Sequence, residues 1–148
     1  MTKSIPIQDR LEIQELSTSY AFFCDTKDYR SVSQFFIETG VWDESVLGLP
    51  VCEGRMRIHE FFCGMEQANL DYLIHINGSH RIAEFDNDAA SGTVHLHSEG
   101  RINGNDFRIL GYYADDYVKR EGAWFFKKRK LIEIAPTQGS VRSVFNIS

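Results

Sequence analysis

Three turn signals in the second half of the chain constrain its fold more than any other feature. They are Asp86-Asn87-Asp88, Asn103-Gly104-Asn105 and Arg120-Glu121-Gly122. Around them lie runs of roughly a dozen residues that are rich in β-forming side chains. The predicted strands cover about residues 72–85, 90–102, 107–119 and 123–134. Because successive strands joined by short turns run in opposite directions, this half predicts an antiparallel meander.

Three segments ahead of these strands have the apolar spacing of amphipathic helices. In the first, Ile13, Leu16 and Tyr20 recur every three or four residues. Asp28 is expected to cap the second helix. The predicted helices cover about residues 9–25, 29–36 and 54–68, and a strand should begin at 40–42 between the last two. Helices placed before a meander must cover one of its faces, so the sequence predicts one α+β domain over residues 1–148.

The composition is that of a folded globular domain with an aromatic-rich interior. Of the 148 residues, 43% are hydrophobic and 13% aromatic, and the length suits a single domain. The 16 basic and 21 acidic residues leave little electrostatic footprint for a nucleic-acid partner. The first residues lack the apolar core of a signal peptide, and no window approaches the roughly 20 apolar residues that span a bilayer. We therefore expect a cytoplasmic protein without nucleic-acid or membrane partners.

No short motif indicates a metal or an organic cofactor, and we expect neither. The chain lacks GxGxxG, P-loop, HExxH and GxSxG patterns, and Cys24, Cys52 and Cys63 lack CxxC spacing, so they are expected to be buried free thiols. His95 and His97 have a spacing that could bind a metal, but no third ligand accompanies them. Because aliphatic residues alternate with them, these histidines should face outward, toward solvent or a subunit interface.

Three polar residues stand in apolar surroundings and are candidates for chemistry. Asp25 follows the apolar end of the first helix, and His75 lies in an aliphatic strand start. Arg129 shares strand parity with Phe125 and Leu131, which permits an inward guanidinium group. Each also has an ordinary structural explanation: a solvated carboxylate, a core histidine bonded to a carbonyl, and one member of a solvated basic run. None of the three is specific on its own.

The order of the landmarks is more specific than any one of them. With Asp25 after the first helix, Trp42 on the first strand and His75 on the second, the helix-helix-strand-helix-meander order resembles the SnoaL-like branch of the nuclear transport factor 2-like superfamily. Ile13-Gln14-Glu15-Leu16 near the start and Tyr117-Val118-Lys119-Arg120-Glu121-Gly122-Ala123-Trp124 near the end carry the same resemblance. It covers nearly the whole chain.

The resemblance implies both a fold and an assembly. The expected fold is a cone over residues 1–135, in which three N-terminal helices cover a curved antiparallel sheet. Residues 136–148 would form a C-terminal tail docked at a subunit interface. Such families are often trimers, so a homo-oligomer is expected, with a trimer favoured over a dimer. His95 and His97 would then have a structural role at the interface.

Within that branch the pattern is most similar to scytalone dehydratase and hexachlorocyclohexane dehydrochlorinase, which share an Asp–His dyad inside the cone. The matching residues are Asp25 and His75, and the basic residue of the dehydrochlorinase falls on Arg129. Tyr20 stands where that enzyme has a lysine and is similar to the tyrosine used by dehydratases of the fold. Gly100 stands where scytalone dehydratase has a second catalytic histidine.

These matches imply a cofactor-independent lyase, either a dehydratase or a dehydrohalogenase. His75 would take a proton, Asp25 would orient His75, and Tyr20 and Arg129 would stabilise the negative charge that develops. A small, cyclic, mostly hydrophobic substrate is expected. The predicted pocket residues are Trp42, Phe23, Phe61, Leu96, Ser98 and Leu131. Two alternatives stay open: a ketosteroid-isomerase-like isomerase and a non-catalytic, small-molecule-binding member of the fold.

Overall fold

One six-stranded sheet organises residues 3–141, the part of the chain that the computed structural model describes. The helices are α1 (Ile7–Asp25), α2 (Tyr29–Val32) and α3 (Arg55–Gly64). The strands are β1 (Phe36–Asp43), β2 (Cys52–Glu53), β3 (Leu70–Asp86), β4 (Ala89–Ile102), β5 (Asn105–Arg120) and β6 (Ala123–Gln138). They lie side by side in the order β2-β1-β6-β5-β4-β3.

Strands β3 to β6 form the predicted antiparallel meander. Each hairpin turn contains a residue with positive φ, namely Asn87 at 53°, Asn103 at 50° and Glu121 at 50°. Gly104 and Gly122 follow the last two at 76° and 81°, as a type I′ hairpin turn requires. The turn signals therefore mark the strand ends correctly. Strand β1 joins the other side of the meander, parallel to β6.

Bulges curve the long strands around the helices. The β3–β4 register shifts at three places, which lie between Leu70 and Tyr72, between Asn77 and His80, and between Ile82 and Glu84. Extra residues in one strand bend it and increase its twist. Helix α1 packs across the concave face against β3 and β6, so the α+β architecture with a curved, helix-covered sheet is confirmed. Within residues 3–141 no helix combines the length and apolarity needed to cross a bilayer.

A bulge in β6 determines which way Arg129 points. The β5–β6 register shifts at Lys127, which is the extra residue on β6. Phe126 and Arg129 consequently both face the core, each with 0% exposure. The predicted parity with Leu131 is confirmed, whereas the parity with Phe125 is wrong because the extra residue inverts the alternation between them.

Several element boundaries differ from those predicted. Strand β1 begins at Phe36 rather than at residue 40, and β2 (Cys52–Glu53) was not predicted because two residues carry no periodicity. Strand β6 runs to Gln138, so the predicted boundary between cone and tail falls inside a strand. The Asp28 carboxylate accepts a bond of 2.9 Å from the Ser31 hydroxyl, and no side chain caps α2 by a hydrogen bond.

The remaining structural predictions concern exposure. On β4, His95 and His97 face outward and are exposed, as predicted. Cys24 and Cys52 are buried free thiols, whereas Cys63 is only half-buried. Of the predicted tail, Val141 is buried against the core cluster, and residues 142–148 lie outside the described residues.

The close approach of β3 to β4 predicts that Gly92 cannot be replaced without cost. A Cβ at this position would collide with the backbone carbonyl oxygen of Arg81, whereas a Cβ at Gly64 meets nothing within 4 Å. We expect Gly92→Ala to lower the free energy of unfolding by about 1–3 kcal/mol. Gly64→Ala should leave it unchanged or raise it by up to about 1 kcal/mol, since Gly64 has helical dihedrals. Urea unfolding measures both; equal effects would contradict the prediction.

Candidate active site

The structure brings Asp25 and His75 into direct contact. Asp25 is the last residue of α1, and His75 lies near the start of β3. One carboxylate oxygen of Asp25 lies 2.6 Å from Nδ1 of His75, and the other accepts the backbone N–H of His75 at 2.9 Å. The His75 side chain is 9% exposed and that of Asp25 is 22% exposed. Two bonds from one carboxylate hold both the ring and the backbone of His75.

This contact prepares His75 to act as a base. An ionised carboxylate can only accept hydrogen bonds, so Nδ1 of His75 must carry a proton when it bonds to Asp25. The neutral imidazole then has its lone pair on Nε2, which is the nitrogen able to accept a proton. His75 also lines the cavity described next. The pair therefore combines a base, an orienting group and access to an enclosed space.

A small apolar cavity lies between the inner face of the sheet and helices α1 and α3. Its volume is about 60 Å³, well below the roughly 300–1,000 Å³ of pockets for drug-sized ligands. The predicted residues that line it are Tyr20, Trp42, Phe61, Leu96, Ser98 and Leu131. Half-buried Phe61 and Met65 line the α3 side, so admitting a substituted ring requires these side chains to move.

Phe23 is not among the residues that line this cavity. Its ring packs against Phe35, with centroids 5.5 Å apart, and against Phe22 at 5.8 Å. Phe23 is partly buried and packs on one face of α1. That face meets the 3₁₀ turn after α2 rather than the cavity, because Tyr20 and Cys24 occupy the cavity side of the helix.

Tyr20 stands at the centre of the aromatic wall. Its ring lies edge-on to His75 at a centroid distance of 6.1 Å, and its hydroxyl accepts a bond of 2.8 Å from Nε1 of Trp42. Burial raises the pKa of Tyr20 well above its ordinary value. The hydroxyl therefore keeps its proton throughout the physiological range and is suited to donating a hydrogen bond to a developing negative charge.

Arg129 is buried behind the cavity wall rather than in it. Its guanidinium forms two bonds to the Asp115 carboxylate, of 2.9 and 2.8 Å, and a third of 2.7 Å to the Ser17 hydroxyl. It stacks on the rings of Tyr20 at 4.6 Å and Tyr113 at 3.9 Å. Burial opposes the charge, but the adjacent Asp115 carboxylate outweighs it and raises the pKa of Arg129. The guanidinium is inward, as the strand parity permits, but it meets the two tyrosine rings and does not itself line the cavity.

Glu44 is a site residue that the sequence analysis missed. It follows β1, is buried, lines the cavity and accepts a hydrogen bond of 3.5 Å from the Tyr113 hydroxyl. Burial raises the pKa of the Glu44 carboxyl from 4.5 to about 7, with Arg129 acting in the opposite direction. In the sequence Glu44 belongs to the polar run Asp43-Glu44-Ser45, which is typical of a solvated turn. The one sequence signal for a site role was its position two residues after Trp42, a predicted pocket residue.

Within residues 3–141, no group of three or more His, Cys, Asp or Glu side chains is placed to hold a metal ion. The chemistry that the described side chains can perform by themselves is proton transfer, with Tyr20 as a neutral hydrogen-bond donor.

Comparison with known proteins places the chain in a recognisable structural class. The family model described as a SnoaL-like domain matches residues 6–130. A Novosphingobium aromaticivorans protein provisionally assigned as an aromatic ring hydroxylase is similar in structure, with a TM-score of 0.89 and 26% identity over 95% of this chain and 99% of that one. No match was found among the curated protein sequences.

Two further solved structures share the fold at lower identity. One, from the same species, is provisionally assigned as a scytalone dehydratase, with a TM-score of 0.80 and 19% identity over 89% of this chain and 87% of that one. The other is a type 2 hexachlorocyclohexane dehydrochlorinase, with a TM-score of 0.79 and 16% identity over 91% and 92%. The three assigned reactions differ, so the shared architecture does not by itself define the reaction of this chain.

The environment of Glu44 predicts a pH-dependent contribution to stability. Between pH 4.5 and 7 the folded protein keeps a proton on Glu44 that the unfolded chain releases, so this contribution is lost as the pH rises through that window. The loss amounts to about 3 kcal/mol. Glu44→Gln has no such proton, so its free energy of unfolding relative to the wild type should rise by most of that amount between pH 5 and 8, the first part of the loss lying below pH 5.

Urea unfolding of both proteins at the two pH values measures this difference. Burial lowers the pKa of His80 to about 4, but its contribution is common to both proteins and cancels. Glu38→Gln, at an exposed position on β1, is the matched control and should show no pH-dependent gain. A Glu44→Gln gain that is the same at both pH values would contradict the prediction.

Proposed function

The chain belongs to the family of SnoaL-like domains, and from this premise we propose that it is a cofactor-independent lyase. The proposal depends above all on one observation, the 2.6 Å contact between the Asp25 carboxylate and Nδ1 of His75 at the edge of an apolar cavity. The substrate class is a small, mostly hydrophobic cyclic compound with an acidic C–H next to a carbonyl. The structural similarity to proteins named for dehydration and for dehydrochlorination supports the same class of reaction.

The proposed elimination uses His75 as the general base. Nε2 takes the proton from carbon, the electron pair of that C–H bond forms the new C=C bond, and the leaving group departs with its own bonding electrons. Asp25 stabilises the imidazolium that forms and fixes its orientation. Tyr20 donates a hydrogen bond to the oxygen on which negative charge develops, in surroundings where such a bond is stronger than in water. Arg129 holds Tyr20 in place and adds positive potential through its ring.

A second function is favoured by the volume of the cavity. A cavity of about 60 Å³ has room for one compact apolar group. That volume is sufficient for a non-catalytic domain that binds a small apolar ligand. The two functions differ in their outcome with cyclic ketones that carry a hydroxyl or chlorine in the β position. A lyase eliminates water or hydrogen chloride and releases the enone, whereas a binding domain holds the ketone unchanged.

We further propose that the outer face of β3 mediates self-association. Tyr72, Ile74 and Ile76 are 45%, 42% and 53% exposed on this strand, which forms one edge of the described sheet. His97 pairs with Ile76 and lies on the same face. Burying this apolar row favours a homo-oligomer. The preference for a trimer over a dimer comes from the resemblance to the SnoaL-like branch. Light scattering tests it, and Ile76→Glu should lower the mass; a monomeric wild type would exclude it.

The dyad predicts a large and specific loss of activity on substitution. With 3-hydroxycyclohexanone and 3-chlorocyclohexanone as substrates, His75→Ala should lower kcat/KM by about 10²–10⁴-fold. Asp25→Asn should have a comparable effect. The amide nitrogen would donate to Nδ1 and so place the imidazole proton on Nε2, whose lone pair must be available to accept the substrate proton. Appearance of cyclohexenone by its ultraviolet absorbance is the measurement.

His59→Ala, at an exposed position on α3 outside both the cavity and the proposed interface, is the matched control and should keep the wild-type rate. Circular dichroism verifies that each variant is folded. A full rate in His75→Ala would refute the lyase. Binding of cyclohexanone by the wild type without elimination from either substrate would instead support the binding domain.

A further inference from the structure

Two acid–base groups line the cavity without touching each other. His75 belongs to β3, and Glu44 follows β1, on the other side of the meander in the sheet order. The rings of Tyr20 and Tyr113 connect them: Tyr20 lies 6.1 Å from the ring of His75 and 6.0 Å from that of Tyr113, whose hydroxyl bonds to Glu44. Both groups therefore line one cavity, which an elimination requires because its base and its acid act on the same bound molecule.

The surroundings of Glu44 favour its neutral, proton-bearing form. Burial raises the pKa of its carboxyl to about 7, and the nearby Asp43 carboxylate acts in the same direction, while Arg129 and the Tyr113 hydroxyl oppose it. Among residues 3–141 the only hydrogen bond to this carboxyl comes from Tyr113. The titratable and charged groups around it are Tyr20 and Cys24 on α1, Asp43 on β1, His75 on β3, Tyr113 on β5 and Arg129 on β6. A carboxyl so placed can give up a proton inside the cavity.

An independent observation indicates that the ligand of this cavity carries oxygen. Ser98 is 1% exposed, and its buried hydroxyl has no hydrogen-bond partner among the described residues. Ser98 lies directly opposite His75 in the β3–β4 register and lines the cavity. A buried hydroxyl without a partner costs free energy that a polar ligand atom can recover. A halogenated hydrocarbon offers no such atom, whereas a carbonyl or hydroxyl oxygen does.

From these contacts we infer that Glu44 is the general acid of the elimination and that the leaving group is a hydroxyl, which makes the substrate a cyclic β-hydroxy carbonyl compound. This inference rests on the proposed lyase function and assigns its leaving group. Ser98 provides a hydrogen bond to a substrate oxygen. Glu44 would be a catalytic residue, because its proton would go directly to the departing oxygen.

The step balances without any further reagent. Nε2 of His75 takes the proton, the C–H electrons form the C=C bond, and the C–O bond breaks toward oxygen. The Glu44 proton goes to that oxygen, so that water leaves. His75 has then gained one proton and Glu44 has lost one, and exchange with water restores both. Hydroxide is a poor leaving group and requires this proton, whereas chloride departs as a stable anion and does not.

That contrast defines the experiment. The probes are 3-hydroxycyclohexanone and 3-chlorocyclohexanone, which yield the same cyclohexenone and can be followed by one assay after subtraction of the uncatalysed rate. Glu44→Gln should lower kcat/KM for the alcohol by about 10²–10⁴-fold and that for the chloride by no more than about threefold. Glu38→Gln on the same segment should affect neither. In the wild type, kcat/KM for the alcohol should fall above pH 7 as Glu44 ionises. For the chloride, kcat/KM should show no such fall.

Each outcome has a distinct meaning. The acid assignment is overturned if folded Glu44→Gln keeps the wild-type kcat/KM for the alcohol, or if its kcat/KM falls equally for both substrates. In either case the lyase function remains supported if His75→Ala lowers kcat/KM for both substrates. A full rate in His75→Ala, or elimination of neither probe by the wild type, overturns the lyase and this inference together. Carboxyl ¹³C NMR of the wild type, with Glu44→Gln for assignment, gives a measurement independent of turnover: a Glu44 already ionised at pH 6 overturns the acid assignment.

Discussion

The buried ion pair between Arg129 and Asp115 is the interaction on which the rest of the structure depends. Both side chains are 0% exposed, so each charge has lost its hydration and is compensated only by protein groups. Two bonds join the pair, the Ser17 hydroxyl takes a third, and three aromatic rings, including that of Phe126, surround the guanidinium. Removing one partner of such a pair typically costs about 3–5 kcal/mol, because the other charge is left alone in the core.

This pair also sets the position of the dyad. Ser17 and Tyr20 on α1 both contact Arg129 on β6, which holds the helix against the sheet. The helix ends at Asp25, eight residues after Ser17 and about 12 Å further along its axis. A rigid helix thereby delivers the carboxylate to His75 on β3. The structural core and the candidate active site are consequently one packed unit, in which Tyr20 touches both.

The same core places two carboxyl groups in different surroundings. Asp25, at the partly exposed end of α1, accepts two hydrogen bonds from His75 and orients its ring in the proposed mechanism. Glu44 lies in apolar surroundings with one long hydrogen bond, and its burial keeps a proton on it near neutral pH. In the proposed mechanism, the surroundings of each carboxyl therefore distinguish the group that orients the base from the group that donates a proton. The cavity between them, about 60 Å³ in volume, limits which compounds can meet both groups at once.

The sequence by itself determined the four meander strands, their hairpin turns and the outward direction of His95 and His97. These follow from periodicity and turn chemistry, which are properties of consecutive residues. The pairing of Asp25 with His75 was implied by the resemblance to the SnoaL-like branch and not by any local pattern. Only the tertiary structure decided that Arg129 lies behind the cavity wall, that Phe23 turns away from it, and that Glu44 is buried. The physical reason is that burial depends on contacts between distant segments: Glu44 meets Tyr113 across 69 positions, and Arg129 meets Ser17 across 112. No local pattern records such contacts.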